Sequence, residues 1–506
     1  MTSSVRNTLK AKEQALQVRE TILLLTLLCI GVFFRLIKIS QPFVDEWSWR
    51  QADVAMIAEN FYRYGFNIFY PQINWAGDSP GYVGTEFPLV PFIASLLYVF
   101  FGVHDWIGRF VSVFFFALSV PFFYLVVKAV LNESGALFAV AIYNIVPLCV
   151  FTSRSFMPDM ASLSFSIIAI YLFSDWLKRP NIRSRIFIAT TAATSLAILV
   201  KLPAMIIGLP LIYMAWQQYG PKMVLRREIW AFAALSLIFP LAWYYHAWLI
   251  STSYYPHHMF GSGGIGIESL AGYGRILRQA ATFSLTPLLS AGMLIGICLS
   301  SVTKFGRLFH WWLLAIFLFA FSAARGHWHS WYFLPIAPVA AAFAALPCDV
   351  VLSRIARESH SKIISALVLL LFFAFTSYLS FAYVSPLYEP WGMPSFHAGN
   401  ALNRIVPPHA LIIVADGGDP TCLYYSKRKG WHFLADFGKP PIDSHEAITE
   451  LERLRGQGAD YLTFVRNTFW WLDYYHQFRE HLDSRYRRIK VTEEYIIFDL
   501  TPVKAA

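Results

Sequence analysis

Pro42-Phe43-Val44-Asp45-Glu46-Trp47-Ser48-Trp49-Arg50-Gln51-Ala52-Asp53 follows directly on an apolar run over residues 21–39. It opens a polar stretch that closes at Gly84-Thr85-Glu86-Phe87-Pro88-Leu89, where apolar sequence resumes. Adjacent carboxylates at the exit of an apolar helix are unusual, and ionised groups at a membrane face point to function more often than to packing. The plainer reading is that Asp45 caps a short helix running to residue 64, since acidic groups favour the positive end of a helix dipole. The sharper one is a catalytic carboxylate beside a lipid substrate. Both can hold.

The surrounding chain places this stretch at a membrane. Of 506 residues, 57% are hydrophobic and 14% charged, with a mean hydropathy of +0.48. Soluble domains carry about 25% charged residues. The apolar runs have helix length, so the expected class is an α-helical integral membrane protein and not a barrel. The net charge of +10 carries no nucleic-acid signal, because much of it sits in short loops between apolar runs. The polar N-terminus and long first apolar run predict an anchor and not a cleaved leader. Five scattered cysteines suggest neither a disulfide framework nor a thiolate metal site.

Apolar segments follow at 87–102, 107–130, 135–152, 156–177, 186–200, 202–217, 229–249, 281–301, 308–324, 331–347 and 362–384. Basic clusters at Lys178/Arg179/Arg183/Arg185, Lys222/Arg226/Arg227, Lys304/Arg307 and Arg354/Arg357/Lys362 all fall on one side if segments from 156 onward alternate. That side is expected to be cytoplasmic. Asp159 then lies outside, level with Asp45. Three segments separate them, so one is not a full span: 87–102, with Pro88 and Pro91, and 135–152, with Pro147, are the candidates. The expectation is about eleven crossings, with residues 1–20 cytoplasmic, a membrane domain over 21–384 whose first external loop is 40–86, and the C-terminus outside. A loop at 250–280 carries His257, His258 and a glycine run at Gly261-Ser262-Gly263-Gly264, read as a mobile flap. From residue 385 the composition turns soluble, with strands expected at 410–415, 461–465 and 495–498 and a Ser444-capped helix over 445–456. This predicts a small external α/β domain over 385–506.

Three motifs in order give a resemblance. The Asp45-Glu46 pair after the first helix, the Pro-containing Glu86-Phe87-Pro88-Leu89, and Asp159 in Ser153-Arg154-Ser155-Phe156-Met157-Pro158-Asp159 resemble the dolichyl-phosphate-mannose protein mannosyltransferase superfamily. Its bacterial branch includes the aminoarabinose transferase of lipid A. The resemblance covers residues 20–350. It implies a multi-span glycosyltransferase of a bacterial inner membrane. Such an enzyme moves a sugar from a polyprenyl-phosphate carrier to a lipid, glycan or protein acceptor on the periplasmic face. The alternatives are a protein O-mannosyltransferase proper or, from another class, a lipid-sugar transporter without chemistry. Transporters tend to show repeats and mid-membrane charges. Here Lys201 is the main internal charge and the polar residues cluster at one face.

The chemistry needs a carboxylate for the acceptor's proton, cations for the departing phosphate, and a groove for the lipid tail. The resemblance gives Asp45 the role of base, Glu46 that of positioning it or the acceptor, and makes Asp159 the second carboxylate. An N-cap is again the plainer reading of Asp159. Trp49 belongs to an aromatic stretch suited to a sugar ring. Arg50, Arg154, Arg275, Arg278, Arg325, His327 and His329 are candidate phosphate donors. Arg154 could instead pair with Asp159. Arg325 precedes a basic-aromatic stretch ending at Tyr332, also readable as an interface belt with Trp328 and Trp331. Two departures stand out. The lipid A transferase type has Lys beside this Glu, where the chain has Phe87, and an Arg where it has Ser48. Phosphate binding must be rebuilt from other residues. No cofactor is required, although Glu86 with His257 or His258 would suit a divalent metal.

Overall fold

The structure, a computed structural model, describes residues 3–261, 266–300, 306–323, 329–355, 361–434 and 439–501. Arg325 and His327, and most of the glycine run, lie outside the described residues.

The chain begins with α1 (Ser3–Leu36), followed by α2 (Ser48–Tyr64) and α3 (Leu89–Phe101). Then come α4 (Asp105–Val130), α5 (Glu133–Ile145), α6 (Pro147–Thr152), α7 (Asp159–Trp176) and α8 (Arg185–Val200). The rest of the membrane part is α9 (Gly208–Tyr219), α10 (Arg227–Ser253), α11 (Leu270–Gln279), α12 (Pro287–Ser300), α13 (Leu308–Ser322), α14 (Ile336–Ile355) and α15 (Ser361–Val384). Many large apolar side chains point outward, among them Phe100, Phe239, Leu241 and Phe381. Apolar surface on that scale is stable only against lipid.

Among the described residues, five helices are long and apolar enough to cross a membrane, or six if the pair bent by 104° between Ser284 and Pro287 is one span. Helices α3, α5, α8 and α13 are apolar but only 13, 13, 16 and 15 residues long. At 1.5 Å per residue a helix of that length falls short of the roughly 30 Å hydrocarbon core. Length alone therefore does not reach the expected eleven crossings. The segment at 135–152 is broken into α5 and α6 at Pro147, which lacks the N–H a continuous helix needs. Where helices cross closely, small residues allow it. A side-chain carbon on Gly296 of α12 would stand 2.0 Å from the Phe343 carbonyl of α14. None of the five cysteines is in a disulfide.

The C-terminal domain begins with α16 (Met393–Ile405) and holds a mixed sheet in the order β2-β1-β3-β5-β4. The expected strands are β1 (Leu411–Ala415), β3 (Ala459–Val465) and β5 (Tyr495–Asp499); β2 (Gly430–His432) and β4 (Arg487–Val491) complete it. The expected helix is α18 (Ser444–Gly456), but Asp443 and not Ser444 caps it, accepting from the Glu446 N–H at 2.8 Å. A short helix α17 (Thr421–Ser426) turns this domain onto the membrane part. The Tyr425 hydroxyl accepts from the Phe43 N–H at 2.7 Å, Lys427 Nζ lies 2.6 Å from Glu59, and Gly430 exchanges backbone hydrogen bonds with Asn74 and Gly77. The domain is thus fastened to the first loop on several sides.

Candidate active site

Asp45 is not a helix cap. The N-cap of α2 is Trp47, without a side-chain cap bond, and the Asp45 carboxylate turns inward. Its Oδ2 accepts from Arg109 at 2.9 Å and Arg154 at 2.8 Å, and its Oδ1 from the Gln51 amide. Gln51 in turn accepts from the Phe156 N–H at 3.1 Å, and Arg154 donates to the Lys38 carbonyl at 2.7 Å. Asp45 and both arginines are fully buried. Burial raises the Asp45 carboxyl against the pull of Arg109 and Gln51. With two guanidinium groups under 3 Å away, the ionised form is the one the geometry fits. The pairing of Arg154 with Asp159, one of its two readings in the sequence, does not occur; Arg154 bonds Asp45.

Asp159 is the first residue of α7, with Pro158 at the cap position, so it too makes no side-chain cap. It meets Lys201, whose Nζ lies 3.2 Å from Oδ1 and 3.3 Å from Oδ2. Lys201 also stands 3.5 Å from Glu86 Oε1. Arg50 Nη2 lies 3.0 Å from both Glu86 oxygens. Two carboxylates and two cations thus form one buried network. Burial alone would raise the Glu86 carboxyl; Arg50 and Lys201 outweigh it and hold it at about 2. Lys201, just past the end of α8, thus brings a cation to Glu86 from a distant part of the chain.

The loop after α10 is not a free flap where it is described. Gly84 accepts from the Phe260 N–H at 2.8 Å and donates to the His258 carbonyl at 3.0 Å. A side-chain carbon on Gly84 would sit 2.4 Å from the Ala247 carbonyl, so only glycine lets this strand lie against α10. Phe260 then covers Arg50, its ring 5.0 Å from the guanidinium. At Glu86 a divalent ion would meet the charges of Arg50 and Lys201, which already pair with it, and burial with Arg50 lowers the His258 pKa to about 4, leaving that imidazole neutral. Among the described residues, no group of three or more potential ligands comes together.

The aromatic residues form one wall. His329 stacks on Trp331 at 4.1 Å, Trp49 packs on both, and Trp47 meets Trp331 edge-on at 5.2 Å. The Tyr332 ring lies 5.3 Å from Lys201 Nζ. Asp159, Lys201 and Tyr332 line a small cavity together with Ser162, Ser166 and apolar residues that include Leu163, Ile206, Ile207 and Trp312. Glu46 differs from all of these. It is exposed, faces an open cavity that Asp45 also lines, and its carboxyl is raised by partial burial and by the Asp45 charge.

Of the residues the sequence singles out, the structure joins Asp45 with Arg154, and separately Asp159, Glu86 and Arg50 around Lys201 beside Tyr332. Sequence reasoning missed Arg109 and Gln51, which look like ordinary residues at helix starts. It also missed Asp53, which burial raises to about 7 and whose Oδ1 accepts from Trp75 Nε1 at 3.3 Å. Lys201 was legible as a lone charge between two apolar runs but not as a partner of Glu86.

The sequence of the dolichyl-phosphate-mannose-protein mannosyltransferase family matches residues 79–246. No curated protein matches the chain by sequence. Among solved structures, ArnT from Cupriavidus metallidurans bound to undecaprenyl phosphate superposes with a TM-score of 0.65 at 13% identity, covering 94% of this chain and 98% of that one. The apo oligosaccharyltransferase of Archaeoglobus fulgidus gives 0.62 at 13% identity over 89% and 70%. Its AglB complex with an inhibitory peptide and a dolichol-phosphate gives 0.60 at 12% over 93% and 74%. The chain has the fold of the GT-C glycosyltransferase superfamily, a multi-pass membrane fold with a small C-terminal sheet domain.

Proposed function

We propose that this GT-C chain transfers a sugar from a polyprenyl monophosphate to an acceptor on the periplasmic face of a bacterial inner membrane. The observation that carries this is Lys201 and Asp159 in the lining of a mostly apolar cavity, with Glu86 and Arg50 bonded on behind Lys201. A lipid phosphate needs a cation at the head and apolar walls for the chain behind it. A neighbour of the same fold holds undecaprenyl phosphate, which agrees with that donor class.

In this reading Arg50 and Lys201 hold the phosphate. The bond from the anomeric carbon to the phosphate oxygen breaks, and the acceptor oxygen bonds to that carbon. The electron pair leaves with the polyprenyl phosphate, and the acceptor's proton passes to a carboxylate. Asp45, expected as the base, has its acceptor sites engaged by two guanidiniums and an amide, which suits an anchor that sets the loop. Glu46 is the better proton acceptor. It is open to the cavity, engaged by no side chain among the described residues, and its carboxyl is raised by partial burial and the Asp45 charge. Asp159 stands beside the phosphate position and orients Lys201.

A transporter would be favoured by internal repeats and scattered mid-membrane charges; Lys201, the main internal charge, instead pairs with Asp159 and Glu86. The test is a deletion strain: mass spectrometry of its lipids, surface glycans and secreted proteins should show one sugar missing. Restoration by the wild-type gene but not by a Glu46→Gln gene is the expected result. An unchanged sugar inventory would contradict the proposal.

A further inference from the structure

A cavity of about 520 Å³ lies where the first loop, the turn after α15 and the C-terminal domain meet. Small-ligand sites fall in this size range. Its lining includes Glu46 and Ser48 of the first loop, Trp391 of the turn, and Asp419, Arg466 and Asn467 of the C-terminal domain. Trp391 is 67% exposed, a large indole face left to solvent beside polar groups. It is not loosely held. Gly392 donates to the Val44 carbonyl at 2.8 Å, Glu46 donates to the Leu387 carbonyl at 3.1 Å, and Gln41 donates to the Tyr388 carbonyl at 3.0 Å. The turn that presents Trp391 is therefore stitched to the loop that presents Glu46. On the other side, Asn467 Nδ2 donates to the Asp416 carbonyl at 2.9 Å, which fixes its amide. Glu46 and Arg466 have no side-chain partner among the described residues.

An interface-belt Trp would need no such surroundings. A flat aromatic face ringed by a carboxylate, an amide and a guanidinium fits the alternating C–H face and hydroxyl rim of a sugar ring. Glu46 and Asp419 against one Arg466 disfavour a phosphate or other anionic head group, the third lining carboxylate, Asp45, being already paired with Arg109 and Arg154. The charged groups in the lining, Glu46, Asp419 and Arg466, disfavour an acyl chain. We propose that this cavity is a saccharide subsite, taking a neutral sugar ring of the acceptor and presenting its hydroxyl to Glu46. The inference rests on the transferase reading and adds the acceptor's chemical class.

The experiment uses the full-length protein in nanodiscs, with saturation-transfer NMR of the methyl glycosides of neutral hexoses and N-acetylhexosamines. The same sugars on diacylglycerol in the disc, and a Ser/Thr-containing peptide, compete in parallel arms. Undecaprenyl phosphate binding is measured on every sample. At least one glycoside should bind saturably, and Trp391→Ala and Asn467→Ala should each weaken it about tenfold, with donor binding unchanged. Competition by the glycolipid would identify a membrane-anchored acceptor, and its absence a free glycan; either supports the subsite. Arg466→Glu on the exposed wall carries the same expectation should Trp391→Ala fail to fold. No glycoside binding, glycoside binding indifferent to these variants, or binding of the peptide alone at this cavity would overturn the subsite. If donor binding is intact in that case, only the subsite falls; loss of donor binding by the wild type would instead count against the transferase reading.

Discussion

Lys201 Nζ stands 3.2 Å from Asp159 Oδ1, joining the end of one apolar helix to the start of another. Both groups are buried, and Lys201 is shared with Glu86. Removing one partner of a buried pair leaves an uncompensated charge, at a cost of roughly 3–5 kcal/mol. Lys201→Met should therefore lower the melting temperature sharply. Adding Asp159→Asn should recover part of the loss, because the stranded carboxylate is gone. Thermal unfolding of the two single variants and the double variant checks this; strictly additive losses would show that the two groups are not coupled.

The Asp45 cluster separates anchoring from proton transfer. Asp45→Asn leaves Arg109 and Arg154 without their carboxylate, so stability and turnover should fall together. Glu46→Gln should leave fold and donor affinity intact while lowering turnover about 10²–10⁴-fold. Measuring melting temperature, lipid affinity and turnover on each variant decides between them. An Asp45→Asn protein of normal stability with lost turnover, beside an active Glu46→Gln, would return the base to Asp45.

Asp53 supplies a pH dependence. Its carboxyl is raised by burial from an ordinary value near 4 to about 7. A raised acid favours the folded state while protonated, so this stability is fully present below pH 4 and is lost as pH rises to about 7. The loss runs at up to about 1.4 kcal/mol per pH unit in that window. Asp53→Asn stays neutral and should flatten the pH profile of the melting temperature, exceeding the wild type at pH 8. Parallel profiles from pH 4 to 8 would refute the assignment.

Topology follows from the docking of the tail. The C-terminal domain is bonded to Phe43, Glu59 and Asn74, so it shares a side with Asp45. A reporter fused after residue 384 should be active in the periplasm. A cytoplasmic readout would contradict the orientation.

How far the sequence carried this depended on range. Local patterns gave β1, β3 and β5, while β2 is three residues and β4 reads Arg-Arg-Ile-Lys-Val, too short and too charged to register as strands. The carboxylates at the loop start were legible because ionised groups beside apolar runs stand out. Their partners were not, because Arg109 and Arg154 reach Asp45 only through the packing of α4 and the turn before α7. The cap readings failed for the same reason: a distant cation outcompetes a nearby backbone N–H. Pro147 was legible as a break, but whether its segment still crosses depends on the neighbours it packs against.

Donor recognition at Lys201 is the centre of the account, and native mass spectrometry of undecaprenyl phosphate bound to the purified protein tests it most directly. Wild type should retain one lipid, and Lys201→Gln, with Lys201→Arg as the charge-conserving control, should bind it at least about tenfold more weakly while Lys201→Arg keeps most of the affinity. Equal retention by wild type and a folded Lys201→Gln protein would contradict it.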